Sequence, residues 1–201
     1  VAQDGTISPG AMKQRGRGAK KATPANDEYH LTFNTYQKNL SSFRFDCFTD
    51  KALPQRGPGV NADGGFQLTE LKITAKPLDA KSKEPVQELK LKAVFAAFED
   101  KDQPLANAVD GKPATAWVVK TTAKKDNAAI FELDKTLAGF AGGTELQITL
   151  QFRELGIGRL RVAMSTEPNP TTWAGDFVPQ NVYEIRGILA ANNNKVTDPL
   201  R

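Results

Sequence analysis

The chain has 201 residues, of which 39% are hydrophobic and 25% are charged, and its formal net charge is +4. This composition is typical of a globular protein with a sizeable core, and it excludes a chain that is disordered throughout. No apolar run approaches the roughly 20 residues that a membrane-spanning helix needs, so no such helix is predicted. The sequence begins without Met and without a signal peptide, and we expect a processed piece of a longer protein.

The chain contains one cysteine and one histidine, which limits the chemistry available to it. Cys47 has no partner for an internal disulfide, and its place in an apolar run predicts a small buried side chain. With His30 as the single histidine, a zinc site or a Cys–His nucleophile pair is not expected. The sequence has neither a Ser–His–Asp order nor a phosphate-binding glycine loop, so we expect a protein that is not an enzyme.

A cluster of positive charge lies near the start of the chain, in a glycine- and alanine-rich loop placed at residues 11–27. Five basic residues fall within nine positions, namely Lys13, Arg15, Arg17, Lys20 and Lys21. No aromatic residue is interleaved with them for base stacking, so the pattern is typical of a solvated loop. Polyanion binding by residues 13–21 is the alternative interpretation, and nucleic acid is not the expected partner.

Alternation of apolar and polar residues, with a few short apolar runs, predicts strands along most of the chain. The predicted segments are 29–35, 42–48, 66–74, 86–94, 117–119, 128–133, 145–152 and 158–165. We expect the first two to pair with each other. The loop at 53–65 holds two prolines and four glycines and is expected on the surface, in well-defined turns.

No convincing helix interrupts these strands before residue 178. The chain is therefore predicted to be all-β, an antiparallel jelly-roll β-sandwich over residues 1–170. Residues 171–201 are predicted to form a C-terminal segment with one short helix and a flexible tail. The helix is indicated by the spacing of Val182, Ile185, Ile188 and Leu189.

Two features of the chain point to a site. The alternation of segment 66–74 slips at Thr69 and Glu70, which predicts a β-bulge that turns Glu70 toward a partner. The stretch 106–117 gathers an Asp–Gly turn, a hydroxyl and backbone carbonyls just before Trp117, which is expected in the core. Such oxygens suit a hard cation. The alternative interpretation of the same residues is a turn closed by the Asp110 side chain without a metal.

Residues 106–117 resemble the A-x-D-G-x-x-x-T-x-W signature of galactose-binding-like sandwiches, which include discoidin domains, coagulation-factor C-type domains and many carbohydrate-binding modules. The resemblance implies a galactose-binding-domain-like fold with a structural calcium ion. Its ligands would be the side chains of Asp110, Thr115 and Glu70 and the carbonyls of Asn107, Lys112 and Thr69. This chain departs from the family pattern in two places. Its acidic strand precedes the loop, and Lys112 stands where the family usually has Asn.

A wider resemblance covers about residues 1–190. Ordered motifs such as Gly64–Glu70 and Ile157–Val162 are similar to a region of large planctomycete secreted proteins that carry a cytochrome-c-like segment. This resemblance implies an extracytoplasmic setting, whether secreted, periplasmic or at the cell surface. The haem-binding Cys-x-x-Cys-His pattern of the neighbouring segment is absent from this chain, so no redox role is expected.

Sugar recognition uses exposed aromatic faces and planar polar side chains. The candidates outside the expected core are Trp173, Phe48, Arg153, Arg159, Arg161 and Asn61. Each of them also has a purely structural explanation. The sequence thus suggests a non-catalytic polysaccharide-binding module of a larger secreted protein, with a glycan and the parent chain's other domains as partners. A structural spacer or protein-interaction domain is the alternative.

Overall fold

The computed structural model describes residues 5–8, 26–120 and 125–167. Backbone contacts divide the chain into two units, Val1–Asn169 and Pro170–Arg201. The fold below belongs to the first unit. The predicted C-terminal helix and tail, Trp173 and the basic residues 13–21 lie outside the described residues, so what the sequence suggests for them stays a prediction.

Nine β-strands form within the described residues. They are β1 (Glu28–Thr35), β2 (Leu40–Cys47), β3 (Phe66–Pro77), β4 (Gln87–Leu89), β5 (Leu91–Ala96), β6 (Trp117–Val119), β7 (Asn127–Leu137), β8 (Thr144–Phe152) and β9 (Leu160–Ser165). Short 3₁₀ turns occur at Pro54–Arg56 and Leu105–Val109. None of the described helices is long and apolar enough to cross a membrane.

The strands form two antiparallel sheets. One has the order β1-β8-β3-β4, with β6 also pairing with β3, and the other has the order β5-β7-β2-β9. The predicted all-β, two-sheet architecture is confirmed. The expected pairing of the first two strands is wrong, because β1 pairs with β8 while β2 pairs with β7 and β9. Alternation along a strand indicates which face is buried but does not specify the neighbouring strand.

Side chains from both sheets form one buried cluster. Phe45 of β2 meets Phe131 of β7 edge to face, with ring centroids 5.8 Å apart. Phe66 and Trp117 make a second edge-to-face pair at 5.2 Å. Such pairs contribute about 0.5–1.5 kcal/mol beyond the burial of their area. Trp117 is only 1% exposed, which confirms its predicted place in the core.

The loop expected on the surface at 53–65 is exposed at residues 55–56 and 62–63 but buried at 57–61 and 64–65, so the expectation is wrong for that buried part. Its turns are close-packed, because Gly59 donates its N–H to the Gly64 carbonyl at 2.9 Å and Val60 donates to Gly156 at 3.0 Å. A Cβ at Gly59 would lie 1.8 Å from the Gly65 carbonyl oxygen. Glycine therefore permits backbone to pack directly on backbone here, which a count of turn residues does not reveal.

The segment predicted as one strand at 86–94 is two strands that belong to different sheets. The break falls at Lys90, whose carbonyl accepts a hydrogen bond from the Asp134 N–H at 2.9 Å. β4 pairs with β3 in one sheet, and β5 pairs with β7 in the other. Lys90 therefore marks the corner at which the chain passes between the sheets.

Candidate functional site

The predicted bulge is present in β3. The register of β3 against β8 shifts between Leu68 and Glu70. The Thr69 hydroxyl donates to the Gln151 carbonyl at 3.0 Å across the bulge. Beyond it, the core-facing side chains are those of Leu71 and the alternate residues after it, so Glu70 lies on the opposite face of the sheet.

The turn around Asp110 is closed by hydrogen bonds within the loop. Asp110 follows the 3₁₀ turn Leu105–Val109, and its Oδ1 accepts the Lys112 N–H at 2.9 Å. The Thr115 Oγ1 lies 2.9 Å from each carboxylate oxygen of Asp110 and 2.8 Å from the Lys112 carbonyl oxygen. This is the Asx-type closure that the sequence offered as the alternative to a metal loop.

Glu70 faces this loop although the two are distant in sequence. Glu70 lines the same cleft as Asp110 and Gly111, and both the Asp110 charge and the Gly111 N–H act on its carboxyl group. Glu70 is only 7% exposed. Burial raises the pKa of its carboxyl, with a further increase from Asp110, while the Lys72 charge and the Gly111 hydrogen bond oppose the shift.

The six residues proposed as calcium ligands fall into two groups. Asp110, Lys112 and Thr115 bring a carboxylate, a carbonyl and a hydroxyl to within hydrogen-bonding distance of one another. Glu70 adds a carboxylate on the facing wall.

The other two have different contacts. Asn107 donates its side-chain amide to the Ala116 carbonyl at 3.1 Å, and the Thr69 side chain spans the bulge. In the described part of the chain, no three His, Cys, Asp or Glu side chains converge in a way that could hold a metal. A cation at this turn would therefore depend on hydroxyl and carbonyl oxygens as well as carboxylates.

Glu70 and Asp110 line the same cleft, which has a volume of about 500 Å³. Its walls are β3, the β4–β5 corner and the loop that follows Val109. The lining residues are Glu70, Leu71, Lys72, Glu88, Leu89, Lys90, Leu91, Val109, Asp110 and Gly111. The cleft thus combines carboxylate acceptors and ammonium donors with aliphatic side chains, and its volume falls within the range of about 300–1,000 Å³ for small-molecule sites.

The proposed ligand residues Phe48, Arg159 and Arg161 form a stack at the β2–β9 pair. The guanidinium carbons of Arg159 and Arg161 lie 5.6 and 5.2 Å from the centroid of the Phe48 ring. Arg161 also donates from Nε and Nη2 to the buried Asp46 carboxylate, at 3.0 and 2.8 Å. Arg159 lies 3.7 Å from the Asp50 carboxylate. These cation–π and ion-pair contacts give the stack a structural role.

The remaining described candidates also make structural contacts. Arg153 donates from Nη2 to the Ala114 carbonyl at 2.8 Å and from Nη1 to the Gln67 side chain, so it fastens the 106–117 loop to β3. Asn61 is buried and accepts the Leu155 N–H at 3.1 Å. The five described candidates therefore occupy three separate sets of contacts. None of the five lines the cleft at Glu70.

Several cleft residues were missed by sequence reasoning. Glu88, Lys90 and Val109 carry no motif, and they approach Glu70 only because β4 pairs with β3 and the 3₁₀ turn packs beside them. The local signals of this place were the bulge at Glu70 and the turn at Asp110. Comparison of the chain with protein-family models, curated proteins and solved structures finds no match.

Proposed function

We propose that this chain is a non-catalytic carbohydrate-binding module with a galactose-binding-like jelly-roll sandwich, belonging to a larger extracytoplasmic protein. The cleft at Glu70 is the observation that carries the proposal. Sugar hydroxyls both donate and accept hydrogen bonds, so they suit a wall that offers the Glu70 and Glu88 carboxylates beside the Lys72 ammonium group. The extracytoplasmic setting rests on the resemblance to secreted proteins.

The apolar part of the cleft supports the same class of ligand. Leu89, Leu91 and Val109 line it together with the charged groups, so the C–H faces of a sugar ring would contact aliphatic carbon while its hydroxyls reach the charged groups. Glu70 is already buried, so little of its side-chain freedom remains to be lost on binding.

A structural calcium ion at the neighbouring turn is part of the proposal. The donor set of Asp110, Lys112 and Thr115 consists of oxygens alone, which is what calcium prefers, and Glu70 would complete the shell from the facing strand. Calcium usually takes six to eight oxygen ligands, so the carbonyls of Asn107 and Thr69 and water would supply the rest. The ion would hold the loop that forms one wall of the cleft.

A glycan array covering plant, algal and microbial polysaccharides tests the function. We expect the wild-type chain to bind at least one neutral glycan, and Glu70→Ala to lose that binding while its melting temperature shows that it is folded. Lys83→Ala is the matched control, because Lys83 is exposed and does not line the cleft. A bound glycan should release no reducing ends. Uniformly negative arrays would remove the proposal.

A protein-interaction or spacer domain is the second candidate, and one observation favours it. Val94, Phe95 and Phe98 are 48%, 50% and 38% exposed along β5, an edge strand, and the residues that follow it. Exposed apolar side chains in such a cluster are typical of contact surfaces. Negative glycan arrays, together with binding to neighbouring domains of the parent chain that Phe95→Ser abolishes, would favour this candidate over a sugar-binding module.

A further inference from the structure

A second cleft lies on the other side of β4. It has a volume of about 430 Å³. Its lining residues are Gln87, Glu88, Leu89, Lys90, Asp134, Lys135, Thr136, Leu137 and Ala138. Like the cleft at Glu70, it offers carboxylate and ammonium groups beside aliphatic carbon, and its volume is within the range for small-molecule sites.

The two clefts meet at one short element. Glu88, Leu89 and Lys90 line both of them, so β4 and the corner after it form a ridge between the two spaces. The ridge is one strand wide, and neighbouring strands lie about 4.8 Å apart. That width is similar to one pyranose unit. β4 is the last strand of its own sheet, and the second cleft is bounded across from it by residues 134–137 of β7.

The lining charges favour a neutral ligand. The two clefts together present four carboxylates, Glu70, Glu88, Asp110 and Asp134, and three ammonium groups, Lys72, Lys90 and Lys135. With both signs interspersed, neither a polyanion nor a polycation meets a complementary field along the whole path. Hydroxyl groups can pair with either kind of side chain.

We propose that the two clefts are consecutive subsites for one neutral, linear polysaccharide chain, which crosses β4 and contacts Glu88 and Lys90 at the crossing point. This inference rests on the proposed carbohydrate-binding function and adds to it the path that a polysaccharide chain would take across the sheet. The cleft at Glu70 is the primary subsite, because its carboxylate is buried. The cleft at Asp134 adds affinity only for chains long enough to pass the ridge.

Titration calorimetry with oligosaccharides of two lengths tests the inference. The probes are the disaccharide and hexasaccharide of β-1,4-glucan, β-1,3-glucan, β-1,4-mannan and β-1,4-xylan. In the series that binds, we expect the hexasaccharide to bind about tenfold more tightly than the disaccharide, because multiple linked contacts add. Asp134→Ala combined with Lys135→Ala should lower hexasaccharide affinity about tenfold and leave disaccharide affinity within about twofold.

We expect the Asp134→Ala, Lys135→Ala double variant to fold, because both side chains are exposed and Asp134 donates to the Lys90 carbonyl through its backbone N–H. Glu70→Gln should weaken both probes, and Lys83→Ala should weaken neither. Equal affinity for the two lengths, or a double variant that binds the hexasaccharide as the wild type does, overturns the chain-binding inference alone. If none of the four series binds, the chain-binding inference is overturned, while the carbohydrate-binding function itself is decided by the glycan array.

Discussion

Replacing Asp110 by alanine removes the acceptor that closes the loop, and its cost can be estimated from the structure. The Lys112 N–H loses its acceptor at 2.9 Å, and the Thr115 hydroxyl loses the carboxylate but keeps the Lys112 carbonyl at 2.8 Å. Each such hydrogen bond contributes about 0.5–1.5 kcal/mol net, so we expect unfolding free energy to fall by about 1–2 kcal/mol at this exposed site. For a chain of this size the melting temperature should drop by about 2–8 °C.

Asp79→Ala is the matched control for this change. Asp79 closes an exposed turn in the same way, since its Oδ1 accepts the Lys81 N–H at 2.8 Å. It does not line the cleft of Glu70, and its smaller loss should be about half that of Asp110→Ala. Thermal unfolding in EDTA gives these values. Repeating it in calcium at about one hundred times the dissociation constant should add about 2.7 kcal/mol to the wild type and to Asp79→Ala, and nothing to Asp110→Ala.

Two results would refute the reasoning at Asp110, each in a different way. If Asp110→Ala and Asp79→Ala melt at the same temperature in EDTA, the Thr115 hydrogen bond does not contribute to stability as argued. If calcium leaves the wild-type melting temperature unchanged, the calcium proposal is wrong and the hydrogen-bonded turn alone holds the loop.

Three further predictions follow from burial and close contact. Burial raises the pKa of Glu70 above its usual 4.5, so the stability that its protonated form contributes is complete below pH 4.5 and is lost as pH rises through the raised pKa. In EDTA, Glu70→Gln should therefore have a higher melting temperature than the wild type at pH 7 and the same melting temperature near pH 4. Parallel profiles of melting temperature against pH would contradict this. Cys47 is fully buried and burial raises the pKa of its thiol, so a thiol reagent should label the chain only in denaturant, and rapid native labelling would disprove it. In urea unfolding, Gly59→Ala should lower the free energy of unfolding by about 3 kcal/mol or more, because the new Cβ would meet the Gly65 backbone. Gly142→Ala has open space around the new Cβ and a φ of +79°, so it should lower it by about 1–2 kcal/mol. Equal losses for the two variants would refute the close-packing argument.

Features that depend on residues close together in the sequence were predictable from it. Strands β1, β3 and β8 follow from period-two alternation, since one buried face selects the side chains on that face whichever strand lies alongside. The bulge at Glu70 appeared as a slip in that same alternation. The oxygens of the Asp110 turn were predictable too, because Asp110, Lys112 and Thr115 lie within six residues and interact locally.

The sequence by itself therefore determined the all-β class, most of the strands and the chemistry of one turn. Only the tertiary structure decided which strands pair, which loop is buried and which side chains share the cleft. Glu88 and Lys90 reach Glu70 because β4 pairs with β3 and the chain turns toward the other sheet at Lys90, and no local pattern encodes either event. Pairing is selected by the packing of a whole core, whose contacts join residues far apart in sequence, and the cleft is a consequence of that packing.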